Sequence, residues 1–195
     1  MKKLVSALAI MSASSIFATS VFADVAASST AKWDATATKD TTSMLVVTPL
    51  KSLNFQYAEG LKQFNTQTGA FDVTIQGQAG ATDFELTSKL ISNTLTRGDN
   101  ASTLDVGVMW NGTALSKSTE TTLVDTANGI SAGLDALADP GIYGASNRNS
   151  TQGDFTFKIE SATSDGLTAA QYEDLADGVW DGEVAVQFNA NWTTP

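Results

Sequence analysis

The sequence predicts an all-β protein, specifically an antiparallel β-sandwich. Short segments in which apolar and polar residues alternate recur along the chain, as expected for strands with one buried face. Turn-forming dipeptides rich in Gly, Asn and Asp separate these segments roughly every ten residues, a spacing typical of sandwiches. No repeat of fixed period and no change of composition marks a second folded domain.

The chain opens with a predicted secretory signal peptide, residues 1–23. Lys2 and Lys3 form a basic start, and a mostly apolar run over residues 4–17 follows. Val21 and Ala23 are small residues at the two positions that a signal peptidase reads. We therefore expect cleavage after Ala23 and export of the remaining chain.

Residues 24–37 have the pattern of an amphipathic strand. Their apolar face carries Val25, Ala27, Ala31, Trp33 and Ala35, and Trp33 is the only large side chain among them. No turn signal ties this segment to a neighbouring strand. Two interpretations remain open at this point: an ordinary first strand of the sandwich, or a strand whose partner is another molecule.

The middle of the chain continues the alternating pattern. A strand that begins at Met44 is expected to stop at Pro49, which has no N–H for a sheet ladder. The dipeptide Asn111-Gly112 favours a type I′ turn and predicts a hairpin over residues 104–117. The other strands of this region are predicted around Phe55, Val73, Leu86, Val106 and Val124.

The last third of the chain is predicted to be less regular. Residues 125–153 are expected to form a loop with a helical turn or two within 132–138, and residues 167–175 a short connecting helix. A strand is predicted around Phe157, and Asp181-Gly182 as a turn. The final strand has the most regular alternation of all, with its apolar residues at Val184, Val186, Phe188, Ala190 and Trp192.

The composition argues against an enzyme. The chain has no histidine and no cysteine, which excludes His-dependent triads, thiol nucleophiles and metal sites built on N and S ligands. No catalytic site, cofactor or metal is therefore predicted. The net charge of −10 makes nucleic acid a poor partner.

A second function is compatible with a sandwich of this kind. Trp110, Tyr143 and Trp180 lie at predicted strand ends or turns, where exposed rings could stack on sugars. The alternative hypothesis is thus a soluble exported carbohydrate-binding module.

Several stretches resemble the fimbrillin family of the enterobacterial common pilus. The resemblance extends over the whole chain that follows the signal peptide, in matching order, and is most specific in the first and last long stretches. It is carried by AKWDATA (31–37), KDTTSMLVVTPLKSLNFQYAEG (39–60), FDVTIQG (71–77), DTANG (125–129), ASNR (145–148) and DLADGVWDGEVAVQFNANW (174–192).

The resemblance implies a pilin-type domain over residues 38–195 with an incomplete immunoglobulin-like fold. The N-terminal extension 24–37 would be a donor strand that completes the sheet of the next subunit, and the final strand would form the edge of the acceptor groove. The implied partners are further copies of the chain, a periplasmic chaperone, an outer-membrane usher, a tip adhesin and the host-cell surface. The implied location is the bacterial surface fimbrium, reached through the periplasm, with roles in adhesion and biofilm formation.

Overall fold

The computed structural model describes residues 39, 40, 42, 44–98 and 101–195. The predicted signal peptide and the segment 24–37 lie outside the described residues. The strands are β1 (Leu45–Pro49), β2 (Tyr57–Ala58), β3 (Gln63–Phe64), β4 (Gln67–Gln76), β5 (Asp83–Ser92), β6 (Thr94–Arg97), β7 (Thr103–Trp110), β8 (Thr113–Ala114), β9 (Thr121–Asp125), β10 (Arg148–Thr163), β11 (Trp180–Gly182) and β12 (Ala185–Thr193). One short α-helix, α1 (Pro140–Tyr143), and two 3₁₀ turns (Asp135–Ala138 and Tyr172–Asp174) lie between them.

The strands form two main sheets in which every pairing is antiparallel. The large sheet has the order β1-β4-β10-β7-β6-β11, with β8 added to β7, and the small sheet has the order β12-β5-β9. A separate two-stranded ribbon pairs β2 with β3. The predicted all-β antiparallel class is confirmed. None of the helical segments in the described part of the chain has the length and apolarity needed to cross a bilayer.

The core lies between the two sheets. Alternate residues of β4, Phe71, Val73 and Ile75, face alternate residues of β5, Phe84 and Leu86, and all five are buried. The side chains of these strands are therefore buried at every second residue, the same spacing that predicted the strands from the sequence. Leu134 and Leu137, from the predicted helical turn, close one side of this core.

Some of the predicted elements are wrong. The expected strand around Phe55 forms only at its end, where β2 pairs with β3. Gln56, just before β2, bonds Asn65, just after β3: its N–H donates to Asn65 Oδ1 at 2.7 Å, and its C=O accepts the Asn65 N–H at 3.0 Å. Leu53 and Phe55 still pack against the core as half-buried side chains.

The C-terminal end of the predicted loop 125–153 is also wrong, because the next strand begins before residue 153. The long strand β10 starts at Arg148 and pairs with β4 through a run of polar residues that carries no alternation. Gly153 is needed inside this strand because an added Cβ would lie 2.9 Å from the ring of Phe71. Asp181 and Gly182 belong to β11 and not to a turn, and the connecting helix expected over 167–175 is only the 3₁₀ turn Tyr172–Asp174.

Two buried serines allow a test of the core. Ser88 is fully buried on the core side of β5, and no described residue forms a hydrogen bond with its hydroxyl. Ser102 is equally buried, but its Oγ donates to the Thr163 carbonyl at 2.8 Å and accepts from Trp180 Nε1 at 3.1 Å.

We expect Ser88→Ala to raise the free energy of unfolding by about 1 kcal/mol, because it removes an unsatisfied buried polar atom. Ser102→Ala should lower it by about 1–3 kcal/mol, because two polar groups lose their partner. Thermal unfolding of both purified variants checks this, and a lower melting temperature for Ser88→Ala would contradict it.

Candidate strand-binding cleft

An open cleft of about 880 Å³ separates the edge of the large sheet from the edge of the small sheet. Its walls are β12 and the start of β1 at Met44 and Leu45, and both strands are edges of their sheets among the described residues. The residues that line the cleft are Met44, Leu45, Gln78, Glu120, Gln187, Phe188, Asn189, Ala190, Asn191, Trp192 and Thr194.

Among the residues that the structure describes, no strand pairs with the side of β1 that faces away from β4. Gln76 N–H donates to Met44 O at 2.7 Å, and Leu50 N–H donates to Ala70 O at 2.9 Å. The direction of the backbone N–H and C=O groups alternates along an antiparallel strand. The backbone groups that point away from β4 are therefore those of Leu45, Val47 and Pro49. Pro49 has no N–H, so the row of donors on this wall ends at Val47.

The β12 wall is longer. The N–H and C=O of Phe84 both bond Thr126, so they point from β5 toward β9. The alternate residues Glu85, Thr87 and Lys89 must then point toward β12 and bond its odd-numbered residues. The backbone groups of four β12 residues are therefore left facing the cleft: Val186, Phe188, Ala190 and Trp192.

The same four residues of β12 turn their apolar side chains toward the core, where they are only partly buried. The Phe188 ring packs on Phe71 and Phe155 at centroid distances of 5.2 and 5.9 Å. The Trp192 ring packs on Phe84 at 5.1 Å, and its buried Nε1 has no hydrogen-bond partner in the described part of the chain. Hydrophobic core is thus left open along the cleft.

The outer rim of β12 is polar. Asn189 Nδ2 donates to Glu120 Oε1 at 2.8 Å, and the other carboxylate oxygen of Glu120 accepts from Thr87 Oγ1 at 2.5 Å. Gln187 Nε2 donates to Asn189 Oδ1 at 3.0 Å. A strand that fills the cleft would therefore need one apolar face toward the core and one polar face toward this rim.

Comparison with known proteins identifies the family. The family model described as "Fimbrillin MatB" matches residues 26–192. The common pilus major fimbrillin subunit EcpA of Klebsiella pneumoniae (strain 342) is 54% identical over 197 residues, which cover all of both chains, and that of Escherichia coli (strain K12) is 53% identical over the same extent. This chain belongs to the MatB fimbrillin family. The predicted resemblance is confirmed.

Among solved structures, the CooA pilin subunit from enterotoxigenic Escherichia coli superposes on this fimbrillin with a TM-score of 0.46 and 19% identity. The superposition covers 74% of this chain and 86% of that one.

The predicted groove residues do not all lie in the cleft. Phe188, Ala190 and Trp192 line it, and Val186 directs its backbone toward it. Val184 precedes β12, and a register irregularity separates Ala185 from Val186, so Val184 does not continue the ladder. The predicted donor residues Val25, Ala27, Ala31, Trp33 and Ala35 lie outside the described residues.

The second wall was not predicted. Leu45 and Val47 were recognised from the sequence as a short apolar run, but nothing in that run shows that β1 would be an edge strand facing β12. Pro49 was the available signal, because proline in a sheet favours edge strands.

Two of the three rings proposed for sugar stacking are buried in the core. Trp110 and Tyr143 are 5% exposed and belong to the core. Trp180 is partly buried between Phe64, at a centroid distance of 6.4 Å, and the guanidinium of Arg97. Sugar stacking on Trp110 and Tyr143 is therefore wrong as a prediction.

The resemblance motif DTANG (125–129) forms a tight turn beyond β9. Asn128 Nδ2 donates to Asp125 Oδ2 at 2.6 Å, and the Asn128 N–H donates to Asp125 Oδ1 at 3.1 Å. The hydrogen bond from the Asn128 amide lowers the pKa of Asp125, so this turn is held by a carboxylate that stays ionised. Its role is structural.

Proposed function

We propose that this fimbrillin is the major structural subunit of an exported surface pilus, and that its copies join strand to cleft. Residues 24–37 of one copy would enter the cleft of the next and pair with β12 and β1. The observation that carries this proposal is the cleft itself, where two edge strands have backbone groups without a paired strand among the described residues and where the apolar side chains of β12 are only partly buried.

The segment 24–37 has the chemistry that the cleft requires. Its odd positions are apolar or small and its even positions are mostly polar, which matches an open core on one side and the polar rim on the other. Backbone pairing with an exposed sheet edge is a known mode of recognition, used in chaperone–pilin donor-strand complementation. A head-to-tail contact of this type does not close on itself, so it produces a filament.

The remaining proposals concern the route to the surface. The signal peptide 1–23 would direct export, and a periplasmic chaperone would cover the open cleft until an outer-membrane usher exchanges it for the next subunit. A separate tip adhesin and the host-cell surface would be the outer partners, and the assembled pilus would support adhesion and biofilm formation. An exposed apolar edge needs such protection in transit, because it is a template for aggregation.

One experiment tests both the fibre and the processing. Material sheared from the surface of expressing cells should contain filaments by electron microscopy, and mass spectrometry of the filament protein should show Asp24 as its first residue. Filaments made of a chain that still carries Met1 would contradict the free N-terminal strand. A surface protein that elutes only as a sharp monomer would contradict polymerisation.

A further inference from the structure

From the sizes of the side chains on the two strands, we infer that Trp33 of one subunit lies over Ala190 of the next, and that this contact sets the register of the joined strands. The inference rests on the proposed function, since it assumes that residues 24–37 enter the cleft. It adds the pair of residues that fixes the register of the inserted strand against β12.

The β12 wall has a large-small-large pattern along the cleft. Phe188, Ala190 and Trp192 follow each other on the same face, and all three line the cleft. The Phe188 ring is held by Phe71 and Phe155, and the Trp192 ring by Phe84, so the two rings are held by different parts of the core. Ala190 has by far the smallest side chain of the three, so we expect a gap in the wall between the two rings.

The N-terminal segment has the inverse pattern. Ala31, Trp33 and Ala35 alternate small-large-small on its apolar face. Directly opposite side chains in a sheet touch, with their Cβ atoms about 4.5–5.5 Å apart. With Trp33 opposite Ala190, the two alanines lie opposite the two large rings; a slide by two residues would set Trp33 against Phe188 or Trp192.

The pattern does not depend on the direction of the incoming strand. Both sequences are symmetric in size about their centre, so parallel and antiparallel insertion place Trp33 at the same position. The backbone of Ala190 points into the cleft, and it is therefore available to the strand that carries Trp33.

Cysteine crosslinking measures the register without touching Trp33 or Ala190. The natural chain has no cysteine, so every disulfide between subunits must come from the introduced cysteines. Lys32→Cys or Asp34→Cys is combined, in the full-length exported chain, with one of Gln187→Cys, Asn189→Cys or Asn191→Cys. Diamide oxidises two neighbouring thiols to a disulfide and is itself reduced, and heated non-reducing gels then show a ladder of linked subunits.

We expect ladders with cysteine at 189 and at 191 and none with cysteine at 187. With Trp33 opposite Ala190, positions 32 and 34 lie opposite positions 189 and 191. Position 187 is at least two residues further along β12, which puts it about 7–8 Å or more from either cysteine of the inserted strand and too far for a disulfide. Whether position 32 links to 189 or to 191 gives the direction of the strand.

Ladders at 187 in chains that still form filaments would overturn the Trp33–Ala190 register and leave the proposed function standing. The absence of both ladders and filaments in every variant, with filaments also absent in the natural chain, would overturn the proposed function itself.

A second pair of variants tests the gap by size. Ala190→Leu should fill it and reduce the yield of polymer by about fivefold or more, because extra methylene groups would then overpack the site once Trp33 enters it. Adding Trp33→Val in the same chain should restore the yield. Equal losses in the single and the double variant would overturn the inference.

Discussion

Replacing Trp33 with arginine is expected to abolish polymerisation while the folded body of the subunit stays intact. Burial of the indole removes roughly 200 Å² from water, worth about 5 kcal/mol at ~25 cal/mol per Å². Arginine would forfeit this and bring a cation against the open core between Phe188 and Trp192. A loss of this size corresponds to an equilibrium constant for joining that is lower by roughly a thousandfold or more. Size-exclusion chromatography of the exported protein measures it.

Lys32→Ala is the matched control for this substitution. Lys32 lies on the opposite, polar face of the same segment, next to Trp33 in the sequence. Its loss changes the charge of the strand by one unit without changing its apolar face. We expect polymers at the natural level, since an exposed lysine contributes little.

Moving the strand separates assembly from folding. A copy of residues 24–37 is joined to the C-terminus through a flexible linker, and the N-terminal copy is deleted. The cleft of each chain would then be filled by its own added strand, and a stable monomer is expected. An unfolded protein, or one that still polymerises, would show that the segment does not act by entering the cleft.

The second large effect is expected from Phe188→Asp. Phe188 lies in the middle of β12, where its ring contacts Phe71 and Phe155. The substitution removes an aromatic side chain, which costs about 3–5 kcal/mol, and places a carboxylate against apolar rings. Since whole domains are stable by only about 5–15 kcal/mol, we expect the subunit to unfold and to be degraded before it reaches the surface.

Gln187→Asp provides the comparison for Phe188→Asp. It introduces the same carboxylate at the neighbouring position of β12, where the side chain is exposed on the outer rim. Cellular levels of the two variants, measured by immunoblot, should differ strongly. Normal levels of Phe188→Asp would argue that β12 does not contribute to the core.

The sequence predicted those strands whose alternation coincides with their burial. β4, β5, β7 and β12 each have one face in the core, and their apolar residues mark it. The start of β10 was missed because residues 148–153 are polar and glycine-containing, and they are held in place by pairing with β4. Pairing between distant strands leaves no local signal when neither face is strongly apolar.

The cleft was predicted only in part for a similar reason. The apolar face of β12 is visible in the sequence, but its position at the edge of a sheet depends on the strand order, which only the fold provides. Trp110 and Tyr143 show the opposite error. Their positions near turns suggested exposure, whereas Tyr143 donates its hydroxyl to the Thr82 carbonyl at 3.1 Å and turns its ring inward against Phe84 at 6.2 Å.

Pro49 also affects which chains can associate by mistake. The exposed N–H and C=O groups of an uninterrupted edge strand can pair with the edge strand of another sheet and cause aggregation, and a proline in the edge strand helps to prevent this. On β1 the run of available donors is limited to Leu45 and Val47, too short to template a further sheet by itself. Protection against misassembly is therefore built into one wall of the cleft, and selectivity for the correct strand depends on β12.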